Sequence, residues 1–455
     1  MLNRRHLAIP VTAAMLSAVV ALPAIVPAQD TPVERSVGTL SLIGEQQLAN
    51  DLLVDDTLVG GLSGLDYDPE TDSWIVLSDD RSDEAPARFY DATLTYDGTS
   101  FESVELTSAV TLLQEDGSPF PNSEAGGNVP DPESIRFDPE SGNYFWTSEG
   151  SQELGIDPGV YITAPDGTFV AQQPIDDIFA ANTAGETGIR DNGSFEGMTF
   201  SADGQSYFVS TEAPLFQDGP APDGTAGGVH RITEYDRDGN VLAQYAYESD
   251  AVPNVPADAL FSTNGITEIL AVSDTTMLLL ERGTVQQADE TYVNNVRLYL
   301  VDLSGATDIS GIDALVNADY TPAAKTLVEE FDGSNFTVDN LETLAWGPEL
   351  ESGNPSLVIG SDNNFNDSQV TQFLVFEVLP EGTGATPGTT PAGTPVSATP
   401  EVEIGTGQDQ DIDQVTPEAT PELDATPTTG TPEVEVGTGQ DQDIDQVTPE
   451  ASPSV

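Results

Sequence analysis

One hairpin pattern recurs five times along this 455-residue chain, and it dominates what the chain can fold into. The copies are SGLDYDPETDSWIVLSDDR from Ser63, PESIRFDPESGNYFWTSEG from Pro132, FEGMTFSADGQSYFVSTEAP from Phe195, NGITEILAVSDTTMLLLERG from Asn264 and LETLAWGPELESGNPSLVIGSDNNF from Leu341. Each runs from a small or acidic residue into an apolar strand, a turn rich in Asp, Pro and Gly, a second apolar strand and a polar cluster. Further hairpins lie between them: ARFYDATLTYDGTSFESVEL, GVYITAPDGTFVAQQPI, GGVHRITEYDRDGNVLAQYAYE, and VRLYLVDLSG with KTLVEEF. Paired hairpins make a four-stranded sheet, and a ring of such sheets is a β-propeller. The expected fold is all-β: five four-stranded blades, with a sixth, degenerate blade as the alternative. Wide spacing is assigned to insertions such as 115–130. The lone strand VGTLSLIG at 37–44 is expected to close the ring beside TQFLVFEV. A pair of packed sheets is the competitor, but it leaves the recurrence unexplained.

In a propeller the start of the first strand and the end of the second meet at one rim. A two-residue turn at Asp203-Gly204 pairs position 196 with 211, which brings Glu196 and Glu212 together. The same construction sets Glu133 near Glu149, Ser63 near 78–81, Asn264 and Glu268 towards Glu281 and Arg282, and Glu342 towards Asp362, Asn363 and Asn364. Carboxylates gathered this closely share protons or hold a cation. An oxygen-only donor set selects a hard ion: calcium first, then magnesium or manganese. Glu133, Glu149, Glu281, Glu342, Asp362 and Asn363 are the candidate metal ligands. Glu196 and Glu212, with Arg282 and Arg81, are the candidate catalytic group, and which carboxylate is base and which is ligand stays open. Lys325, the only lysine, and Asn364 are candidate substrate contacts. The competing reading makes each rim acid a spoke that hydrogen-bonds neighbouring blades. Gly64, Gly197 and Gly265 follow the rim positions and suit close approach at the axis.

Composition removes other chemistries. The chain carries 78 acidic and 12 basic residues, a net charge of −66. Such a surface repels nucleic acid and anionic lipid. There is no cysteine, and the histidines are His6 and His230 alone, so neither poly-His zinc nor a Ser-His-Asp triad is expected. Ser148 and Ser210 lack a nucleophile-elbow motif, and Trp74, Trp146 and Trp346 read as core. Residues 1–28 read as a signal peptide, with Arg4-Arg5, an apolar middle and a small-residue exit, so an exported, extracellular or periplasmic protein is expected. No later segment is long and apolar enough to span a bilayer. Residues 29–380 form the expected domain. Residues 381–455 form an acidic Thr/Pro tail that repeats TPEVEIGTGQDQDIDQVTPEATP as TPEVEVGTGQDQDIDQVTPEASP. Its composition cannot bury a core, so it is expected to be a disordered spacer.

The series PESIRFDPESGNYFWTSEG, GSFEGMTFSADGQSYFVSTEAPL, LLLERG and NLETLAWGPEL…SLVIGSDNNF resembles the phytase-like ("esterase-like activity of phytase") family of exported bacterial proteins. The resemblance spans roughly residues 37–380. It implies a propeller with calcium at its channel mouth and a small phosphorylated or ester substrate, with phytate-like molecules as the type. Metal-dependent hydrolysis of phosphoric esters by a monomer is the expectation. A non-catalytic, calcium-stabilised binding propeller and a lactonase-like hydrolase are the alternatives.

Overall fold

The computed structural model describes residues 35–382. The segment 1–28, expected to be a signal peptide, and nearly all of the Thr/Pro tail lie outside the described residues.

Alternation explains the core. Each second strand is buried on both faces, so it reads as an unbroken apolar run. In Ser73–Ser78, Trp74 and Val76 join one hydrophobic cluster while Ile75 and Leu77 join another. In Ser206–Thr211, Tyr207 and Val209 face one neighbouring sheet and Phe208 the other. In Thr276–Gln286, Met277 and Leu279 part from Leu278 and Leu280 in the same way. A cluster therefore fills every interface between adjacent sheets. Each fully buried Leu, Ile, Val or Phe contributes about 1.5–3 kcal/mol, and the ring holds because every blade shares its apolar residues with both neighbours. The tryptophans lie in this layer: Trp146 is 2% exposed and stacks on Tyr161 with 4.5 Å between ring centroids.

The strands follow in chain order. They are β1 (Thr39–Leu48), β2 (Leu53–Val54), β3 (Thr57–Leu58), β4 (Leu62–Asp68), β5 (Ser73–Ser78), β6 (Arg88–Tyr96), β7 (Phe101–Thr111), β8 (Pro132–Asp138), β9 (Asn143–Ser148), β10 (Gly159–Thr163) and β11 (Phe169–Gln172). Then come β12 (Phe195–Phe200), β13 (Ser206–Thr211), β14 (Val229–Asp236), β15 (Val241–Glu248), β16 (Phe261–Ala271), β17 (Thr276–Gln286), β18 (Tyr292–Asp302), β19 (Ala324–Phe331), β20 (Asn340–Glu349), β21 (Pro355–Asp362) and β22 (Thr371–Leu379). They form five four-stranded sheets, β4–β7, β8–β11, β12–β15, β16–β19, and β20–β22 completed by β1, with β2 and β3 pairing as a separate two-stranded ribbon. The five sheets are blades 1 to 5 of a β-propeller, and there is no sixth among the described residues. The β1–β22 pairing, Thr39 opposite Leu379 through Leu48 opposite Thr371, closes the ring as the sequence predicts. Inner strands β4, β8, β12, β16 and β20 surround the channel. No helix among the described residues is long and apolar enough to cross a membrane.

The inner hairpins depart from simple alternation at the rim. Every one carries a register shift: between Leu62 and Gly64, Pro132 and Ile135, Phe195 and Met198, Ile266 and Glu268, and Leu341 and Thr343. A bulge sets two residues opposite one and re-aims a side chain. The turn of the third copy closes from Ser201 to Ser206, wider than the expected two-residue turn. The bulge between Phe195 and Met198, not the turn, sets Phe195 rather than Glu196 opposite Thr211.

Candidate functional site: an acidic cavity at the propeller rim

The bulges place Ser63, Glu133, Glu196, Thr267 and Glu342 at equivalent rim positions, one per blade. Counting three residues on from matching pairs places Asp79, Glu149, Glu212, Arg282 and Asp362 at the equivalent ends of the second strands. The spoke of blade 4 is thus Arg282, and its inner position is Thr267. Glu268 instead occupies the place held by Gly64 and Gly197 in blades 1 and 3, so Gly265 is not their counterpart. Glu268 turns into the channel, where it meets the Arg136 guanidinium at 2.8 Å. Arg136 also donates to the carbonyls of Leu65 and Ile269, joining blades 1, 2 and 4 across the axis.

Every blade contributes to a rim cavity of about 670 Å³. Its charges are sorted. On the side of blades 3 to 5, Arg282 donates to Glu212 Oε1 at 2.8 Å and to Asn340 Oδ1 at 2.6 Å, and it is paired with Glu342. Asn340 in turn donates to Asp362 Oδ2 at 3.3 Å. Asp362 accepts the Asn364 N–H at 2.8 Å, and Asn363 Oδ1 accepts the N–H groups of Gly61 and Phe365. This arc is a hydrogen-bonded network that ties blades together through both terminal nitrogens of Arg282, while its Nε is buried without a partner.

The arc formed by blades 1 to 3 is different. One carboxylate oxygen from each of Asp131, Glu133 and Glu149 lies within 4.8 Å of the others. Glu149 accepts the Ser194 N–H at 2.5 Å. Glu196 borders them, and its Oε2 is buried without a hydrogen-bond partner. The cation nearest this group is Arg81, 31% exposed and 3.5 Å from Asp131. Burial, then the Glu196, Asp131 and Glu149 charges, push the Glu133 carboxyl well above the usual range. Burial, Asp131 and Glu212 do the same to Glu149, and burial, Glu149 and Glu212 to Glu196. Burial pushes Asp131 up to about 7 against the pull of Arg81. Asp79 is raised by burial and by Asp362 and Asp131. Packed acids this costly to ionise, all oxygen donors, fit a hard divalent cation.

Other predicted residues lie elsewhere. Glu281 faces away from the cavity and accepts from Tyr247 Oη at 2.5 Å, Asn264 Nδ2 at 2.8 Å and Lys325 Nζ at 2.7 Å. Lys325 is on the outer strand β19, its ammonium over the Tyr299 and Tyr247 rings. Both belong to the packing between blades 3 and 4. Asn364 lines the cavity. His230 is fully buried in blade 3, where burial pushes its pKa down to about 4. Ser148 Oγ accepts the Asp131 N–H, and Ser210 Oγ donates to Gly197.

Asp131 and Asp79 were missing from the expected set. Asp131 lies two residues before Glu133 and so points to the same side, a signal hidden between two prolines. Asp79 follows strand β5 as Glu149 follows β9. Its room comes from Gly61, at φ +62°, where an added Cβ would lie 1.9 Å from Asp79 Oδ1.

The phytase-like family model, described as esterase-like activity of phytase, matches residues 57–365. No curated protein matches the sequence. Similar solved structures include the catalytic domain of an α-L-arabinofuranosidase from Coprinopsis cinerea, at 10% identity and TM-score 0.36, covering 75% of this chain and 98% of that one. A putative 6-phosphogluconolactonase from Bacteroides uniformis shares 13% identity at TM-score 0.30, over 70% of this chain and 86% of that one. The Dos1 propeller shares 8% identity at TM-score 0.29, over 75% and 96%. Likenesses this distant bear on neither reaction nor substrate.

Proposed function

The chain belongs to the phytase-like family, and from that premise we propose that it is an exported, metal-dependent hydrolase of phosphoric esters working at the rim cavity. The observation that carries this reading is the contrast between the two arcs: Arg282 pairs with Glu212 and Glu342 in one, while Asp131, Glu133 and Glu149 converge in the other with the bare Glu196 oxygen beside them. Those three acids would hold calcium, or magnesium or manganese. A cation bound there would offset phosphate charge and lower the pKa of a coordinated water. Glu196, made more basic by burial and by the Glu149 and Glu212 charges, is suited in its ionised form to take a proton from an attacking water. Arg81 is the anchor for a phosphate oxygen, because its one ion pair is long and its side chain is partly exposed. Arg282 has both terminal nitrogens engaged and serves to hold the rim. Enclosure by acids would repel a free polyanion, so the cation must precede the substrate.

The test is phosphate release from p-nitrophenyl phosphate and phytate with calcium and with chelator. Turnover that requires calcium and falls at least a hundredfold in Glu196→Gln supports the reading. Turnover indifferent to both contradicts it. A second reading, a non-catalytic binding propeller stabilised by calcium, draws on the pairing of Arg282 with Glu212 and Glu342, which leaves less cationic surface for phosphate than the sequence suggests. It predicts calcium-dependent melting without turnover of phosphoesters, esters or lactones.

A further inference from the structure

The hairpin of β17 and β18 in blade 4 extends past the rim and walls one side of the cavity. Thr284, Tyr292 and Asn294 line it. Thr284 pairs with Asn294, and Gln286 pairs with Tyr292 on one side and Phe261 on the other. Cross-strand partners share a face, so Phe261 stands on the cavity side of the wall with Tyr292. Both rings are open to solvent: Phe261 is 53% exposed and Tyr292 57% exposed. Leu260, 58% exposed, precedes Phe261, whereas the aromatic residue lining the cavity on the opposite side, Phe365, is half-buried against Gly60 and Gly61. Exposed aromatic groups on a surface so heavily acidic call for a ligand to cover them.

We propose that this wall binds the organic part of the substrate, so that the enzyme takes phosphoric monoesters carrying an apolar, preferably aromatic, group rather than a uniformly polar polyol phosphate. The inference rests on the reading of the rim as the phosphoester site. The phosphoryl group enters among Arg81 and the acids with their cation, and the organic group lies against Tyr292 and Phe261. One side of the ligand then meets charge and the other meets carbon.

The test is calorimetric binding of phenylphosphonate and methylphosphonate, which cannot be hydrolysed, to the calcium-loaded full chain. Phenylphosphonate should bind about tenfold tighter, the worth of a partly buried ring. In the double variant Phe261→Ser, Tyr292→Ser the preference should fall to within about twofold, with methylphosphonate affinity and calcium affinity unchanged. Both side chains are exposed, and an unchanged melting temperature verifies that the variant is folded. Equal affinities in the unaltered protein, or a preference that survives the double substitution, overturn the inference while leaving the phosphoester site intact. Failure of both phosphonates to bind, with calcium still bound, overturns the phosphoester reading and this inference together.

Discussion

Arg282 of blade 4 reaches Glu212 of blade 3 at 2.8 Å, and through Asn340 it is linked to Asp362 at the end of the inner hairpin of blade 5. The acids it does not bond, Asp131, Glu133 and Glu149, are those that converge on one another. The rim is therefore divided between a cationic clamp and an open acidic arc, and the proposed chemistry belongs to the open arc.

Replacing Arg282 by Met should destabilise the propeller by about 3–5 kcal/mol, because Glu212 and Glu342 are left buried without their partner. Urea unfolding measures this. A loss below 1 kcal/mol would show that the clamp is not structural.

The Arg136–Glu268 pair on the axis invites a double-mutant cycle. Glu268→Gln and Arg136→Met should each cost about 3–5 kcal/mol, and the double variant less than their sum. Calcium affinity at the rim should be unchanged in all three proteins, since this pair lies deeper in the channel than the acidic arc.

Stability should depend on pH with a sign set by the arc. Asp131 is raised from 3.8 to about 7 in the folded state, and Glu133, Glu149 and Glu196 are raised as well. A carboxyl raised on folding stabilises below its unfolded pKa and loses that contribution as pH rises through the folded value. In chelator the melting temperature should fall between pH 4 and pH 7, by on the order of 5 °C. His230, lowered from 6.5 to about 4, acts in the opposite sense, losing stability as pH falls through that interval. The prediction is that the acids dominate, and that saturating calcium flattens the fall by holding them ionised. Scanning calorimetry with and without calcium checks both statements.

The ring was legible because burial on both faces writes each second strand as an apolar run, bracketed by Asp, Pro and Gly turns. Ile75 and Leu77 against Trp74 and Val76 are one instance. The rim was legible only in part, because a bulge changes the parity of every residue beyond it. The bulge of blade 4 makes Thr267 the rim residue and sends Glu268 to the axis, which strand counting alone does not reveal. The same count puts both Glu281 and Arg282 at the rim, where the structure places Arg282 alone of the two. Lys325 has a chemically suggestive identity, yet Tyr247, Tyr299 and Glu281 hold it away from the cavity.

Asp131→Asn should weaken calcium binding at least about tenfold, the lower end of what even an outer-shell partner is worth at a metal site. Asp362→Asn should leave it nearly unchanged, because Asp362 already accepts from Asn340 and Asn364 in the opposite arc. Calorimetric titration separates the two variants.

The most direct measurement is an anomalous-difference map from crystals of the full chain grown with calcium and collected at long wavelength. A peak enclosed by Asp131, Glu133 and Glu149 is expected, and it should be absent in Asp131→Asn. No peak at that position, or the Arg81 guanidinium filling it, would contradict the claim that the open arc holds a cation.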